Sequence, residues 1–243
     1  MNKLNYESFQ SEFNTLIGDE WCCLFDLNHQ KLNLKNRNIG TKRFKAIIEC
    51  VFKITHYKGF HAMTLRDLSQ ESGISMGGLY KYFSNKNQLA EMIHGGMVHM
   101  AETCLKTNTL KHQNPILELN ELLARHIYVS ERLKKWFYFV FMESKSLDKE
   151  LIGTVIASEQ YMESVILSCI NEANKQGLSQ CTNPNFVSAM LKVMLQDWYL
   201  KSWKYQQKKI NADQYVTNLL LSAKQLMAVS DSPTELISKG IKS

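Results

Sequence analysis

Hydrophobic residues recur along this chain at three- and four-residue intervals, the spacing that places side chains on one face of an α-helix. Short polar breaks separate these stripes, and Gly or Pro stands at several of the breaks. The pattern predicts helices over 41–58, 64–72, a short stretch from 75, 86–106, 115–128, 131–146, 149–176, 184–207 and 212–229. We therefore predict an all-α fold.

Residues 1–40 precede the first of these main helices. Tyr6, Phe9 and Phe13 have the spacing of a short amphipathic helix, residues 21–25 form a compact apolar run, and residues 30–38 alternate weakly, as an extended segment would. This extension is too apolar for a free tail, so we expect it to pack either on its own chain or on a partner subunit. Residues 230–243 are polar and are expected to fray.

Residues 64–89, TLRDLSQESGISMGGLYKYFSNKNQL, contain the strongest local signals. Thr64 followed by Asp67 is a capping-box-like helix start, and Gly73 can adopt the left-handed conformation that ends a helix. A second short helix follows, with Leu79 and Phe83 four residues apart on its inward face. Two short helices joined at a sharp turn indicate a helix-turn-helix.

Charge and glycine usage in this region point to a nucleic acid. Residues 41–90 carry eight Lys or Arg and three acidic residues, so nearly all of the net charge of +6 lies there. Gly77 and Gly78 each cost the short helix about 1 kcal/mol relative to Ala, and glycine lets a backbone approach another surface closely. A DNA groove wall is such a surface. Lys42 and Arg43 are expected in the first turn of the helix over 41–58, where nearby phosphates would relieve their repulsion by the helix dipole.

The segment from Thr64 to Lys86, read with the preceding helix, resembles the DNA-binding signature of the TetR family of bacterial transcription regulators. The likeness covers residues 41–89, and it departs from the common pattern at Gly78 and Asn87. The resemblance implies a three-helix DNA-binding domain over 41–89, called the reader below, a helical ligand-binding and dimerisation domain over 90–229, and a homodimer. It further implies a regulator, a repressor by expectation, that binds a near-palindromic operator and is released by a small effector.

The resemblance also assigns roles to single residues. It implies phosphate contacts for Thr64, Tyr80, Tyr82 and Lys86. Tyr80, Lys81 and Tyr82 are expected to project from the short helix. Arg66, Met76, Gly77 and Lys81 would lie at or near base edges, and Lys81 meets either a guanine or a phosphate. The full set of expected DNA-binding residues is Lys42, Arg43, Thr64, Arg66, Ser75, Met76, Gly77, Gly78, Tyr80, Lys81, Tyr82 and Lys86.

The effector is expected to be apolar or amphipathic, because the sensor half is rich in Met and aromatic residues. The helix over 131–146 has apolar residues on every face and should be buried all round, either as core or as cavity lining. Segments 143–147 and 197–203 faintly resemble family members that sense fatty acids or their coenzyme A esters. The candidate ligand-binding residues are Met97, Met100, Trp136, Phe139, Met142, Tyr161, Met194 and Trp198. Gly95 and Gly96 mark a candidate kink in the helix over 86–106.

The last helix has a wider apolar stripe than one chain should cover, so we expect a second copy of the chain to cover the excess. The candidate dimerisation residues are Val193, Tyr215, Leu219, Leu220 and Leu226.

Other function classes receive little support. Catalytic and nucleotide-binding fingerprints are absent from the sequence, so an enzyme is not expected, and no cofactor or metal is expected. The six cysteines, at positions 22, 23, 50, 104, 169 and 181, are scattered as in a cytoplasmic protein with reduced thiols. A thiol- or metal-responsive regulator stays open as an alternative. Neither a membrane span nor a secretion signal is expected.

Overall fold

The computed structural model describes residues 4–32, 36–106, 113–143, 145, 147 and 149–229, and over these residues it contains helices and no strand. In chain order the helices are α1 (Tyr6–Leu16), α2 (Glu20–Asn28), α3 (Arg37–Lys58), α4 (Leu65–Ser72), α5 (Met76–Leu79), α6 (Lys86–Lys106), α7 (Pro115–Arg132), α8 (Lys134–Glu143), α9 (Lys149–Lys175), α10 (Pro184–Leu200), α11 (Ser202–Gln207) and α12 (Ala212–Leu226). The predicted all-α fold is confirmed. The tail expected to fray, 230–243, lies outside the described residues.

Contacts group the described residues into two compact units. The first unit takes its residues from 1–107 and 128–159, and the second from 108–127 and 160–243. The predicted boundary between residues 89 and 90 separates the expected DNA-binding domain from the expected ligand-binding domain. It does not coincide with the division into two compact units, and it stays a prediction. None of the described helices combines the length and apolar character needed to cross a lipid bilayer.

The N-terminal extension is folded onto the first unit. Helix α1 starts at a capping box formed by Asn5 and Ser8, and the rings of Phe9 and Phe13 are completely buried. Of the two packing alternatives, its own chain covers these rings, because Phe9 lies against Tyr128 with 5.7 Å between ring centroids. The extended segment expected over 30–38 is wrong at 30–31, which belong to a 3-10 helix over 29–31, and at 37–38, which belong to α3, whereas Leu32 and Asn36 have extended backbone angles.

Helix α3 begins one turn before the predicted start. The Asn36 side chain accepts a hydrogen bond from the Ile39 N–H at 3.0 Å and so caps the helix there. Lys42 and Arg43 therefore lie in the second turn, and their expected position in the first turn is wrong. Gly59 ends the helix with a φ of +76°, a left-handed value that favours glycine.

Helix α7, rather than α8, contains a stretch that is buried on every side, although Leu117 near its start is 52% exposed. All residues from 122 to 130 are buried, including the side chains of Arg125, His126 and Ser130. The sequence pattern predicted complete burial for 131–146 instead.

Helix α8 is buried on one side only. Trp136 and Phe139 have 3% and 2% of their surface exposed, whereas Phe141 and Met142 have 37% and 50% exposed. The prediction of burial all round is therefore wrong for this helix. An apolar residue on every face shows that a helix can be buried, but the neighbouring elements decide which faces are covered.

The second unit keeps the predicted helices with one interruption. The predicted helix over 184–207 breaks at Lys201, which caps the end of α10 with its N–H bonded to the carbonyl oxygen of Asp197 at 3.0 Å. Helix α11 then occupies 202–207. Gly177, with a φ of +70°, follows the end of α9 as predicted.

Candidate nucleic-acid interface

The first helix of the helix-turn-helix, α4, starts at the predicted capping box. The Thr64 hydroxyl accepts the Asp67 N–H at 3.1 Å, and the Asp67 carboxylate accepts the Thr64 N–H at 2.7 Å. Lys58, at the end of α3, donates to the same carboxylate at 2.6 Å. The Lys58 hydrogen bond, followed by those from Thr64, lowers the pKa of Asp67 to about 2. This cluster joins the end of α3 to the start of α4.

The turn between the two helices also follows the predicted pattern. Gly73 ends α4 in the left-handed conformation, with φ +66° and ψ 12°. The Ser69 hydroxyl donates to the carbonyl oxygen of Ile74 at 2.6 Å, which fixes the path of the chain after the turn. Ser75 then caps α5 by accepting the Gly78 N–H at 3.2 Å. Helix α5 is only one turn long.

The inner side of α5 is a hydrophobic seat, as expected. Leu79, the last residue of α5, is completely buried, and Phe83, which lies beyond the end of the helix, is 2% exposed. These two side chains pack α5 and the following turn on the core of the reader. Because the packing of these apolar side chains sets the orientation of α5, the opposite side of α5 faces outward.

The outward side of the reader carries most of the expected DNA-binding residues. Tyr80 is 54% exposed, and Met76 and Gly78 are half-buried beside it. The remaining exposed members of the predicted set are Lys42, Arg43, Thr64, Arg66, Ser75, Gly77 and Lys81. Four of these exposed side chains, Lys42, Arg43, Arg66 and Lys81, are permanently cationic, which suits a surface that meets phosphates.

The two adjacent glycines of α5 differ in their surroundings. A Cβ atom on Gly77 would meet nothing within 4 Å. A Cβ atom on Gly78 would lie 2.8 Å from Cγ2 of Ile74 and 3.3 Å from Oγ of Ser75. The missing side chain at Gly78 is therefore explained by packing inside the turn. At Gly77 the described residues set no such limit.

Tyr82 does not project from the helix, contrary to the sequence-based expectation. Only 2% of it is exposed, and its ring stacks on Phe44 of α3 with 5.6 Å between centroids. Its buried hydroxyl has no hydrogen-bond partner in the structure. Burial raises the pKa of Tyr82, and the charge of Arg43 acts in the opposite direction. A phosphate contact by Tyr82 stays a prediction.

Lys86, the first residue of α6, is turned toward the backbone of the reader. Its ammonium donates to the carbonyl oxygens of His61 at 2.8 Å and Phe60 at 3.2 Å, and it lies 5.3 Å from the centre of the Phe60 ring. The Phe60 N–H donates in turn to Glu143 of α8 at 2.9 Å. The turn between α3 and α4 is thus held by α6 and by α8, a role that the sequence pattern did not indicate.

The candidate ligand-binding residues divide between the two units. In the first unit Trp136 lies 5.1 Å from Trp21, and Phe139 lies 5.6 Å from Phe60 and 5.7 Å from Phe52 between ring centroids. These are contacts of a packed core. Met97 and Met100 are buried in the same unit, whereas Met142 is half exposed.

In the second unit, Met194 lines a cavity of about 300 Å³. Trp198 lies beside this cavity, packed against Tyr205 and Tyr215 at centroid distances of 5.3 and 4.8 Å. Tyr161 is 55% exposed. The cavity is lined by Val193, Met194, Asp197, Tyr205, Tyr215, Asn218, Leu219 and Ser222. The structure therefore brings three of the expected dimerisation residues, Val193, Tyr215 and Leu219, to the same cavity as an expected ligand-binding residue.

The predicted dimer face needs one correction. Leu219 is only 3% exposed within its own chain, so it is core and is not available on the surface. Val193 is 55% exposed, Leu226 is 38% exposed and Leu220 is half-buried. Leu221, which is 56% exposed, is a residue that the sequence reading did not single out.

A buried polar cluster in the second unit was also missed. Arg125 and Lys192 are 2% and 5% exposed, and Arg125 donates to Glu121 at 2.7 Å. Burial, and then the charge of Lys192, lowers the pKa of His126 well below its usual value. The available signal was the Arg-His pair inside the apolar run of α7, because charged residues are rarely buried without a specific role.

The cysteines give the thiol alternative little support. Cys104 and Cys169 are buried, and burial raises the pKa of Cys169 to about 12. Cys22 and Cys23 are half-buried, and burial is the largest cause that raises the pKa of each. Thiolates react and thiols do not. Among the described residues, no group of three or more His, Cys, Asp or Glu is placed to hold a metal ion.

Fold and site together define a helical transcription regulator: a helix-turn-helix with a basic outer face, followed by a larger helical part. A profile described as "Bacterial regulatory proteins, tetR family" matches residues 53–93. The chain thus carries a segment similar to the TetR family of bacterial transcription regulators, and its described residues have the fold of TetR-family regulators. That family and that fold are those of DNA-binding transcription regulators.

One curated relative is the uncharacterized HTH-type transcriptional regulator YfiR of Bacillus subtilis strain 168. It is 38% identical over 52 residues, which are 21% of this chain and 25% of the relative. The match thus spans a quarter of the relative's length, and the activity of the whole protein does not follow from it.

Solved structures of the same fold match over nearly their full length. A regulatory protein in the TetR family from Rhodococcus RHA1 has a TM-score of 0.68 at 14% identity, covering 78% of this chain and 99% of that one. AibR, in complex with isovaleryl coenzyme A and operator DNA, has a TM-score of 0.65 at 18% identity, with 77% and 100% covered. The fatty acid degradation regulator FadR from Bacillus halodurans has a TM-score of 0.59 at 15% identity, with 77% and 97% covered. At these identities the likeness concerns the fold.

Proposed function

We propose that this chain is a repressor that binds a near-palindromic operator as a homodimer in the cytoplasm, where the chromosome lies. The observation that carries the proposal is the outward side of the reader, where Arg66 is exposed on α4 and Tyr80 and Lys81 are exposed in the turn directly after α5. In a two-fold dimer, two such helices would enter successive major grooves about 34–36 Å apart.

Within this proposal the exposed cations position the protein on phosphates, and α5 reads the bases. Lys42 and Arg43 are assigned to the backbone, and Gly77 to the closest approach. Lys81 is assigned either to a guanine or to a phosphate. Discrimination between these two follows from the salt dependence, because a phosphate contact adds about 0.9 to the slope of log affinity against log salt.

The test is selection of duplexes from a random pool by the wild-type chain, followed by affinity measurements at several salt concentrations. We expect a selected sequence with two half-sites and weaker binding by Arg43→Ala and Lys81→Ala. Glu159→Ala, a change distant from the reader in sequence, is the control and should bind as wild type does. Failure of the wild-type chain to select any duplex would contradict operator binding.

The dimer is proposed to form through apolar side chains of α10 and α12. Phe186 and Val193, seven residues apart on α10, are 60% and 55% exposed, and Leu221 and Leu226 on α12 are 56% and 38% exposed. Large apolar residues that cluster on an exposed face mark interaction sites. Dimerisation of other members of the family supports a second copy as the partner.

We also propose that an apolar or amphipathic acid, a fatty acid or its coenzyme A ester, releases the operator. The cavity of about 300 Å³ in the second unit supports this, since its walls combine Met194 and Leu219 with polar groups such as Asp197. Its volume is at the small end of the range for ligand sites.

The effector proposal is tested by titrating the operator complex with fatty acids of different length and with their coenzyme A esters. A ligand must favour one state over the other to shift the equilibrium, and a change of 5- to 150-fold in operator affinity is typical. Ser222→Phe should fill the cavity and abolish release, whereas Thr154→Phe, at an exposed position of α9 that does not line the cavity, should not. If no compound changes operator affinity in the wild type, the effector proposal fails while operator binding stands.

A further inference from the structure

Helix α6 carries two adjacent glycines in different surroundings. Gly95 is exposed, and a Cβ atom there would meet nothing within 4 Å. Gly96 is buried, and a Cβ atom there would lie 2.4 Å from Cδ1 of Leu24 and 3.7 Å from Cζ3 of Trp136. The missing side chain at Gly96 is what allows Leu24 of α2 to sit directly on the α6 backbone.

Helix α2 is fixed to several other elements of the first unit. Leu24 is completely buried, and the Trp21 ring lies 5.1 Å from the Trp136 ring of α8. Glu20, in the first turn of α2, accepts hydrogen bonds from Arg132 at 2.8 and 3.3 Å. Helix α2 therefore packs in one defined position rather than sliding along its neighbours.

The same helix is also fastened to α3, the first helix of the reader. Asp26 of α2 accepts a hydrogen bond from the Nε of Arg37 at 2.8 Å, at the start of α3. Lys45 of α3 places its ammonium 5.5 Å from the centre of the Trp21 ring. Helix α2 thus holds both α3, which belongs to the reader, and α6, which leads out of it.

We propose that residues 6–28 form an intramolecular clamp that fixes α6 against α3, with Leu24 and Gly96 as positioning residues for DNA binding. A shift of α6 relative to α3 must break the Leu24 contact or the Arg37 contact, because α2 is short and holds both. The clamp therefore keeps the reader in its binding-competent arrangement. The effect of the clamp on DNA binding rests on the proposed function, whereas the packing of α2 on α3 and α6 does not.

The test compares Gly96→Ala with Gly95→Ala in the full chain. Both changes replace a helical glycine by alanine, so both gain the same helix propensity. Only the first adds an atom where Leu24 lies. Two quantities are measured: hydrogen exchange of the amides in 20–28 and 91–106, and affinity for the duplex that the wild-type chain selects.

For Gly96→Ala we expect faster exchange in both segments and at least a 5-fold loss of operator affinity, since fewer molecules are in the competent arrangement. Gly95→Ala should match the wild type in both measurements. Gly96→Ala combined with Leu24→Val moves the removed volume across the contact. This double variant should recover affinity to within about 2-fold of the wild type, which a general loss of stability would not allow.

The possible outcomes separate the two proposals. If the wild-type chain selects no duplex, the proposal of operator binding fails. Hydrogen exchange alone then decides whether α2 packs on α6 as described. Unchanged exchange in Gly96→Ala, or faster exchange with unchanged operator affinity, overturns the clamp. If Gly96→Ala does not fold, the double variant decides: without recovery of folding and affinity, the clamp is rejected.

Discussion

Removal of the Lys86 charge by Lys86→Met tests whether this residue supports the reader from inside or binds phosphate. In the structure its ammonium donates to the carbonyl oxygens of His61 at 2.8 Å and Phe60 at 3.2 Å and lies 5.3 Å from the Phe60 ring centre. Methionine keeps the apolar stem and loses these interactions. The comparison thus isolates the charge.

The magnitude follows from those contacts. A hydrogen bond to a charged group contributes about 1.5–3 kcal/mol, and an exposed cation–π contact contributes about 0.5–1 kcal/mol. The Lys86 side chain is half-buried, so water compensates part of the loss and we expect a net cost of about 1–2 kcal/mol. For a chain of this length that lowers Tm by about 2–8 °C.

The assays are thermal unfolding of the free protein and the salt dependence of operator binding. Lys81→Met is the matched control, because Lys81 is an exposed lysine of the same reader. It should leave Tm unchanged to within about 1 °C, as surface substitutions usually do. An unchanged Tm for Lys86→Met, together with a salt slope reduced by about one unit, would refute the reasoning and assign Lys86 to a phosphate.

Three further changes test other parts of the molecule. Gly77→Ala should raise Tm slightly through helix propensity and weaken operator binding. Gly78→Ala should lower Tm, because the added Cβ atom would be crowded by its neighbours. Equal effects of the two changes on Tm would contradict the packing difference. The pKa of Asp67 is lowered to about 2 from an ordinary 3.8. The Asp67 carboxylate therefore stabilises the fold above about pH 4, and this contribution is lost as the pH falls toward 2. Acid-unfolding curves of the wild type and Asp67→Asn should differ at pH 7 and converge near pH 2. Leu221→Glu should yield monomers in sedimentation, while the same change at Thr154, which is exposed on α9, should leave the dimer intact. A wild-type monomer or an intact Leu221→Glu dimer would exclude this face.

Local signals in the sequence were sufficient for the elements and for the class of protein. The capping box of Thr64 and Asp67, the left-handed Gly73 and the cap at Ser75 each act within a few residues, so their geometry follows from spacing alone. The helical period likewise indicates the inward side of Leu79, whereas Phe83 is buried although it lies beyond the end of α5. Hence the helix-turn-helix was predictable without a structure.

Only the tertiary structure decided which side chains face inward where a helix is apolar on several sides. The chain buries residues 122–130 of α7 completely and leaves Met142 of α8 half exposed, because the covering of a face depends on elements that are distant in sequence. It places Leu219 in the core and Leu221 outside, a choice that one wide stripe leaves open. It also turns the ring of Tyr82 onto Phe44.

The positions of Lys86 and Gly96 likewise depended on long-range contacts. The partners of Lys86 are backbone carbonyls about 25 residues earlier, and the neighbour that requires glycine at Gly96 is Leu24 in the N-terminal extension. A sequence shows which residue can adopt a conformation or carry a charge. Which atoms then lie against it is set by the packing of whole helices, since each contact at these positions joins segments that no local period relates.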